Sequence, residues 1–243
     1  MSSINVCGME RKSTGTRSTP ARGVRGPGPG PSGDGDGDGS GGGASTRARL
    51  IRSAERLFAA QGVHGAQLRD VVRQAGQANP SAVQYHFGSR EGLLEEVMAE
   101  RQRRTERALG ERLPQPEGRS LGELLGALVD AEATELRTER GRDCLRISTQ
   151  VSHRSGIRER RPHAGLAGTL YWRLILALET PLIPLAPEPV RLERIDLALT
   201  LIGAALAERA RQLAEAEPTL SDDRAYLADL VSVCAGLLTA PLP

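Results

Sequence analysis

Apolar residues recur at helical spacing from position 45 onward, and glycine or proline stands where each repeat stops. Leu50, Ile51 and Phe58 occupy one stripe of an amphipathic helix. Ser45 can cap the start of this helix, and Gly62 follows its last turn, where a C-cap glycine belongs. The pattern therefore predicts a first helix that begins at Ser45 and ends before Gly62.

Two shorter helices and one long helix follow along the chain. The second stripe stops at Gly76, and Pro80 stands at the first position of a third helix, which Gly88 ends. Ser89 can cap a fourth helix that continues until Pro114. Short helices joined by a tight turn that contains glycine predict a helix-turn-helix over this part of the chain.

The rest of the sequence repeats the helical pattern, and no useful strand alternation appears. We therefore predict an all-α fold, in which an N-terminal three-helix helix-turn-helix DNA-binding domain precedes a C-terminal helical bundle. Proline and glycine separate further predicted helices near 120–140, 142–154, 164–180, 189–216 and 221–240. The predicted regions are a tail, 1–44, the DNA-binding domain, 45–92, and the bundle, 93–243.

The tail is rich in glycine, proline, aspartate and serine, and this composition predicts disorder because little apolar surface can offset the entropy of ordering. Its Asp-Gly repeat, residues 34–39, matches the first half of a calcium-binding loop. The last ligand position would be Ser45 instead of glutamate, so we expect no calcium site. Scattered basic residues in the tail leave open a non-specific contact with DNA phosphates.

Charge divides the chain in the same way as the helical pattern. Residues 45–90 carry seven arginines against Glu55 and Asp70, a net charge of +5, whereas residues 91–243 carry a net charge of −4. The whole chain has a net charge of only +2. A basic module attached to a mildly acidic one indicates a polyanionic partner for the first module alone.

Cysteine and histidine usage indicates neither a disulfide scaffold nor a metal site. The three cysteines are far apart, with no CxxC pair, which fits a cytoplasmic protein. His153 and His163 have no carboxylate three or four residues after them, so we expect no metal and no cofactor. We also expect no membrane span, no secretory signal and no catalytic nucleophile with an orienting acid.

Three motifs carry a resemblance to a known family. The segments "LFAAQG", "LRDVVRQAG" and "VQYHFGSREGLL" close the first helix, form the second, and join the third to the fourth. Across about fifty residues the sequence resembles the N-terminal domain of TetR-type transcriptional regulators. The remainder agrees with that family only in length and helicity. Heavy use of arginine over lysine suggests a GC-rich bacterial coding sequence.

The third helix should be the one that enters DNA. Val83 and Phe87 share a face that we expect to pack in the core, and Ser81, Gln84 and Tyr85 point the other way. Gln84 stands where the family usually has an aromatic residue, and a glutamine can bond N6 and N7 of adenine. Ser81 can bond a base or a phosphate.

The resemblance implies base-edge contacts from residues 80–84 and phosphate contacts from Tyr85, His86 and Arg90. Ala82 offers a methyl group to thymine. His86 can instead be a structural residue or a proton switch. Exposed arginines before and within the first two helices are candidate phosphate clamps, with a solvated helix face as the alternative. The predicted DNA-binding residues are Arg47, Arg49, Arg69, Pro80, Ser81, Ala82, Gln84, Tyr85, His86 and Arg90.

Two late stretches, Ile195 to Ala207 and Tyr226 to Leu238, are apolar nearly all round. Such helices need cover on both sides, which either a two-fold partner or an intramolecular hairpin supplies. The resemblance implies a homodimer through the last two long helices as a four-helix bundle. The candidate interface residues are Ile195, Leu199, Ile202, Leu206, Leu227, Leu230, Val231, Cys234 and Leu238.

The resemblance also implies a pocket for an inducing small molecule of unknown identity within residues 115–187. Tyr171 and Trp172 are the aromatic residues of that region, and they either line an apolar cavity or form plain core. The candidate ligand-binding residues are Leu145, Tyr171, Trp172 and Leu174.

Together these features predict a homodimeric transcriptional repressor that binds a near-palindromic operator in double-stranded DNA and leaves it when the ligand binds. Two alternatives stay open at this point. One is a non-specific architectural DNA-binding protein, and the other is a helical small-molecule-binding protein or enzyme with a vestigial helix-turn-helix.

Overall fold

In the computed structural model of the chain, all regular secondary structure within the described residues, 39–151 and 155–242, is helical. The all-α prediction is therefore confirmed. The expectations for the tail up to residue 38 and for His153 concern residues outside this range. The helices are α1 (Gly39–Gln61), α2 (Leu68–Gln74), α3 (Ala82–Phe87), α4 (Arg90–Arg112), α5 (Leu121–Ala133), α6 (Glu139–Ser148), α7 (Leu170–Glu179), α8 (Glu188–Ala214) and α9 (Asp223–Thr239).

The head, residues 45–92, forms its helices where the apolar stripes predict them. Leu50, Ile51 and Phe58 of α1 are at most 1 % exposed. Positive φ values at Gly76 (66°) and Gly88 (74°) end α2 and α3, because L-residues with a side chain rarely adopt this conformation. α1 begins at Gly39, upstream of the predicted start.

The start of α3 differs from the prediction. The helix begins at Ala82, and Pro80 lies in the turn before it. Asn79 stabilises that turn, because its Oδ1 accepts a hydrogen bond from the Ser81 amide (2.9 Å) and its carbonyl accepts from the Ala82 amide (3.1 Å). Asn79 therefore caps a turn that leads into the helix, and the helix itself starts later.

The hydrophobic core of the head extends into helices from the rest of the chain. Leu93 and Val97 of α4 and Cys144 and Ile147 of α6 are fully buried among the apolar residues of α1, α2 and α3. A buried, ion-paired cluster supports the same junction, since Glu55 of α1 is bonded by Arg140 of α6. The predicted boundary between residues 92 and 93 stays a prediction.

The C-terminal bundle, residues 93–243, has shorter helices than the pattern predicts. α5 ends at Ala133, and a 3-10 turn from Thr134 to Arg137 separates it from α6. α7 starts at Leu170 because the Thr169 hydroxyl accepts a hydrogen bond from the Trp172 amide (3.1 Å). Along the described residues no helix combines the length and the apolar character that crossing a membrane requires.

The apolar sides of α8 and α9 are mostly covered within the chain, and this corrects the predicted dimer interface. α6 and α7 pack against α8, and α5 packs against α9, so the chain itself supplies most of the cover that we expected from a partner. Only Leu199, Leu227 and Val231 of the predicted set stay partly exposed. The other predicted interface residues are at most 6 % exposed and belong to the core: Ile195, Ile202, Leu206, Leu230, Cys234 and Leu238.

Candidate nucleic-acid interface and ligand cavity

α3 packs one face on the head and presents the other to solvent. Val83 is 2 % exposed, and Phe87 packs against the head core, as the helical spacing predicts. On the outer face Ser81 and Gln84 are exposed, and Tyr85 is 83 % exposed. A tyrosine combines an apolar ring with a polar tip, so this exposed residue suits a wet, polar partner such as a nucleic-acid backbone.

His86 is half-buried between two aromatic side chains. Its ring meets the Tyr85 ring edge-on at a centroid distance of 4.9 Å and lies 6.1 Å from the Phe87 ring. These neighbours orient the imidazole, and its predicted phosphate contact stays a prediction.

Ala82 is not on the outer face, and the expectation that it touches thymine is wrong. The residue is 6 % exposed and packs in the head core beside Val83. Because α3 begins at Ala82, its first turn directs this methyl group toward the core. Pro80 is exposed in the turn before the helix.

Arginines of α1 and α2 lie exposed on the head. Arg69 is exposed at the second position of α2, and Arg49 is exposed with one hydrogen bond to the Thr46 hydroxyl (3.3 Å). Arg73, which the sequence analysis did not select, has a 78 % exposed side chain and pairs with Asp70 at 2.9 Å. Exposed guanidinium groups of this kind can donate to phosphate oxygens.

Two of the predicted phosphate contacts already have partners in the protein. Arg47 is ion-paired with Glu96 of α4, and its guanidinium lies 5.2 Å from the centroid of the Phe87 ring. Arg90 donates from Nη1 to the Val63 carbonyl at 2.7 Å. These bonds connect α4 to α1 and to the loop that follows α1, so both arginines have a structural role. A guanidinium carries several further donors, and phosphate contact by either residue stays a prediction.

The amino end of α4 is capped as predicted. The Ser89 hydroxyl accepts a hydrogen bond from the Gly92 amide at 3.0 Å. The backbone amide of Glu91 and the Ser89 hydroxyl hold the pKa of the Glu91 carboxyl below its usual value. An acidic side chain therefore already interacts with the positive end of this helix, and a phosphate would compete with it there.

A cavity of about 190 Å³ lies between α4, α5, α7 and α8. Of the predicted ligand-binding residues only Tyr171 lines it. Leu145 and Leu174 are fully buried, Trp172 is 8 % exposed, and all three belong to the packed core, which corrects the prediction. The wall of the cavity consists of Met98, Arg101, Gln102, Glu132, Val151, Ser155, His163, Leu166, Tyr171, Asp196, Leu199, Thr200, Ile202 and Gly203.

A buried ion pair forms one side of this cavity. Arg101 and Glu132 are hydrogen-bonded, and each side chain is 7 % exposed. Burial opposes the charge of Arg101, but the attraction of Glu132 prevails and raises the pKa of the guanidinium. Burial and the charge of Glu132 together raise the pKa of the Tyr171 phenol well above its ordinary value. Arg101 is therefore cationic, and the phenol of Tyr171 beside it is neutral.

The sequence analysis missed this pair. An acidic residue on the mostly apolar helix α5 could have indicated that Glu132 is buried with a partner. The partner, Arg101, lies on another helix, and no spacing rule connects the two residues. In the part of the chain that the structure describes, no group of three histidine, cysteine or acidic side chains is placed to hold a metal ion.

The outer faces of α8 and α9 expose apolar side chains that the predicted interface did not include. Leu197 of α8 is 57 % exposed, and Val233 of α9 is 50 % exposed. Ala204 and Gly236 are exposed on the same two helices. This mixture of large and small apolar residues is a surface on which two helices can approach closely.

Comparison with protein families gives a match over the head. Residues 50–97, from α1 into the first half of α4, match the family of bacterial regulatory proteins called the tetR family. No curated protein sequence matches the chain.

Comparison with solved structures extends the likeness to most of the chain. A protein of Shewanella sp. PV-4, described as a tetR family transcription regulator, has 20 % sequence identity and a TM-score of 0.54 over 80 % of this chain and 96 % of that one. A TetR family protein of Vibrio parahaemolyticus has 19 % identity and a TM-score of 0.50 over 77 % of this chain and 97 % of that one. At such identities the likeness shows a common fold.

Proposed function

We propose that this chain, whose residues 50–97 belong to the tetR family of bacterial regulatory proteins, is a transcriptional regulator that binds a specific operator in double-stranded DNA. The exposed outer face of α3 carries the proposal. Gln84 and Tyr85 project from a helix whose opposite face is anchored by Val83 in the head core. A short helix held in this way presents its side chains to the major groove in helix-turn-helix proteins.

Within this proposal the residues divide into two roles. Ser81 and Gln84 read base edges, because their side chains can donate to and accept from bases. Tyr85, His86 and Arg69 contact phosphates, which fixes the position of the head on the duplex. The net charge of +5 over residues 45–90 supports this division.

Selection of bound fragments from random duplex DNA tests the proposal. We expect one enriched, near-palindromic sequence that the protein retains against a large excess of random duplex. If the protein binds DNA but retains no particular sequence against the excess, an architectural DNA-binding protein is favoured. Absence of any DNA binding would refute the proposal.

Gln84→Ala then tests the base-reading role. It should relax the preference at one operator position by about 1–3 kcal/mol, because a bidentate glutamine–adenine pair is lost. The control is Gln115→Ala, which removes an exposed glutamine from the loop between α4 and α5. An equal loss of affinity on all sequences would reassign Gln84 to the DNA backbone.

We further propose that the protein is a homodimer through the outer faces of α8 and α9. The exposed Leu197 and Val233 support this surface, since a second copy would cover them by a two-fold contact. Leu197→Glu should produce a monomer in analytical ultracentrifugation. Leu220→Glu, in the loop before α9, is the control, because Leu220 is fully exposed and the same charge there should leave the mass unchanged. A monomeric unmodified protein would refute this interface.

We also propose that a small molecule in the cavity releases a repressor from its operator. α4 supports the coupling, because Leu93 and Val97 pack in the head core and the next residue, Met98, lines the cavity. A ligand that favours a different position of α4 therefore shifts the population of DNA-binding states. Anisotropy of a labelled operator during titration with small molecules measures this release, and DNA affinity that no cavity-bound compound alters would refute it.

A further inference from the structure

The size of the cavity limits what can occupy it. Its volume is about 190 Å³. Benzene fits a protein cavity of about 150 Å³, so this space corresponds to roughly one six-membered ring with a short substituent. The cavity also adjoins a larger open groove along α4, which shares Met98, Gln102 and His163 with its wall and offers a route of entry.

Much of the wall favours an apolar occupant. Met98, Leu166 and Ile202 contribute aliphatic surface, and Tyr171 contributes an aromatic ring. Apolar pockets of this kind bind the body of a ligand, and a few polar groups then fix its orientation.

The polar groups of the wall include hydrogen-bond donors without partners. Arg101 Nε and Gln102 Nε2 are buried, and neither has an acceptor among the described residues. A guanidinium nitrogen can only donate, and a buried donor without an acceptor is unfavourable. Both atoms are closed to a water-sized probe, so an occupant with an accepting oxygen would satisfy these donors once their side chains turn toward the cavity, whereas an occupant with only donors would not.

The charges of the wall oppose an anionic occupant. Glu132 neutralises Arg101, and Asp196 contributes a further negative charge near Ser155, whose hydroxyl lies 3.4 Å from Oδ1 of that carboxylate. Among the described residues of the wall, a carboxylate ligand would therefore meet more negative than positive groups, and the guanidinium of Arg101 is already paired.

We infer that this cavity binds a small uncharged molecule, about one ring in size, that presents a carbonyl or similar accepting oxygen to Arg101 and Gln102. The inference rests on the proposed function, because it names the class of ligand for the proposed regulatory site. The inference is based on geometry, because a cavity of limited size has an apolar wall, an arginine paired with a glutamate, and hydrogen-bond donors without partners.

Calorimetric titration of the full-length protein with four matched single-ring probes tests the chemical class. Acetophenone is neutral and has an accepting oxygen, ethylbenzene lacks the oxygen, benzoate is an anion and benzylamine is a cation. We expect acetophenone to bind at least about tenfold more tightly than the other three, because only it meets the unpartnered donors without adding charge. Absence of acetophenone binding at about 1 mM, or tighter binding of benzoate or benzylamine, overturns the inference.

Gln102→Leu tests the donor. Gln102 takes no part in the ion pair, so this variant removes an amide donor while it keeps a side chain of similar length. Acetophenone should lose about tenfold in affinity and approach ethylbenzene, whose affinity should stay unchanged. An unchanged ratio between the two probes would show that the accepting oxygen lies elsewhere.

Gly203→Leu tests the location. Gly203 lines the cavity from α8, and a Cβ at this position would meet no atom within 4 Å, so the added side chain has room to occupy the cavity. Acetophenone binding should disappear, while Gly122→Leu, at an equally open glycine of α5 outside the cavity, should retain it. Equal binding by both variants would overturn the inference.

These measurements need no DNA, so they are separate from the test of the proposed function. Acetophenone binding without operator recognition would leave the ligand class intact and refute the regulator. Operator recognition without acetophenone binding would refute the ligand class and leave the proposed regulator intact.

Discussion

Replacing Arg140 by glutamine would cut an ionic link between three helices. Arg140 belongs to α6, and its Nε lies 2.9 Å from both carboxylate oxygens of Glu55 on α1. Its Nη2 lies 2.8 Å from Glu55 Oε1 and also pairs with Glu100 on α4. Glu55 is 1 % exposed, so the substitution would leave a buried carboxylate with Arg52, at 3.3 Å, as its remaining cationic partner among the residues that the structure describes.

The expected cost follows from the burial of the two partners. Removing one member of a fully buried ion pair costs about 3–5 kcal/mol. The Arg140 side chain is 30 % exposed and Arg52 remains nearby. We therefore expect Arg140→Gln to lower the free energy of unfolding by about 2 kcal/mol, less than a fully buried pair would lose.

Urea unfolding followed by circular dichroism measures this change, and a double-mutant cycle with Glu55→Gln isolates the pairwise energy. Arg173→Gln is the matched control. Arg173 and Glu117 are 2.8 Å apart, but their side chains are 48 % and 59 % exposed, so we expect no measurable change there. If both variants lose the same stability, or if the cycle gives no coupling, burial does not determine the strength of the Glu55–Arg140 pair and the reasoning is wrong.

Two further predictions concern the same junction. Burial raises the pKa of Asp143 to about 6, so the folded state retains this proton at pH values where the unfolded state has lost it. The contribution of Asp143 to stability is therefore fully present below about pH 4 and is lost as pH rises through 6. Asp143→Asn should therefore raise the free energy of unfolding by about 1 kcal/mol at neutral pH, a figure that is reduced because Asp143 is partly exposed. No gain is expected near pH 4. Urea unfolding at pH 7 and at pH 4 tests this prediction. Gln150→Ala removes the 2.8 Å hydrogen bond from the Val63 amide to Gln150 Oε1, so hydrogen exchange at the Val63 amide should accelerate about fivefold or more. An unchanged exchange rate would show that this bond does not protect the Val63 amide.

The head was predictable from sequence because its information is local. The stripe around Phe58 and the breaks at Gly76 and Gly88 act within a few residues, and the structure has helices and turns at those positions. The start of α3 was wrong by less than one turn, because proline favours a first helical position but the Asn79 turn also accommodates it.

The rest depended on contacts between distant helices. The apolar character of α8 and α9 indicated that these helices need cover, but sequence cannot state whether the same chain or another copy provides it. Ile195 and Leu230 proved to be covered by the chain itself. The Arg101–Glu132 pair joins α4 to α5 across 31 positions, so neither helical spacing nor charge runs could reveal it.

The insertion of α6 into the head limits how this protein can be recombined with relatives. Cys144 and Ile147 are fully buried in the same apolar cluster as side chains of α1, α2 and α3, although they follow the head by some distance in the chain. A chimera that joins these first helices to a foreign bundle would leave a void unless equivalent side chains return to the same place. A transplant of the head, residues 45–92, onto another bundle should therefore carry the α6 contacts with it.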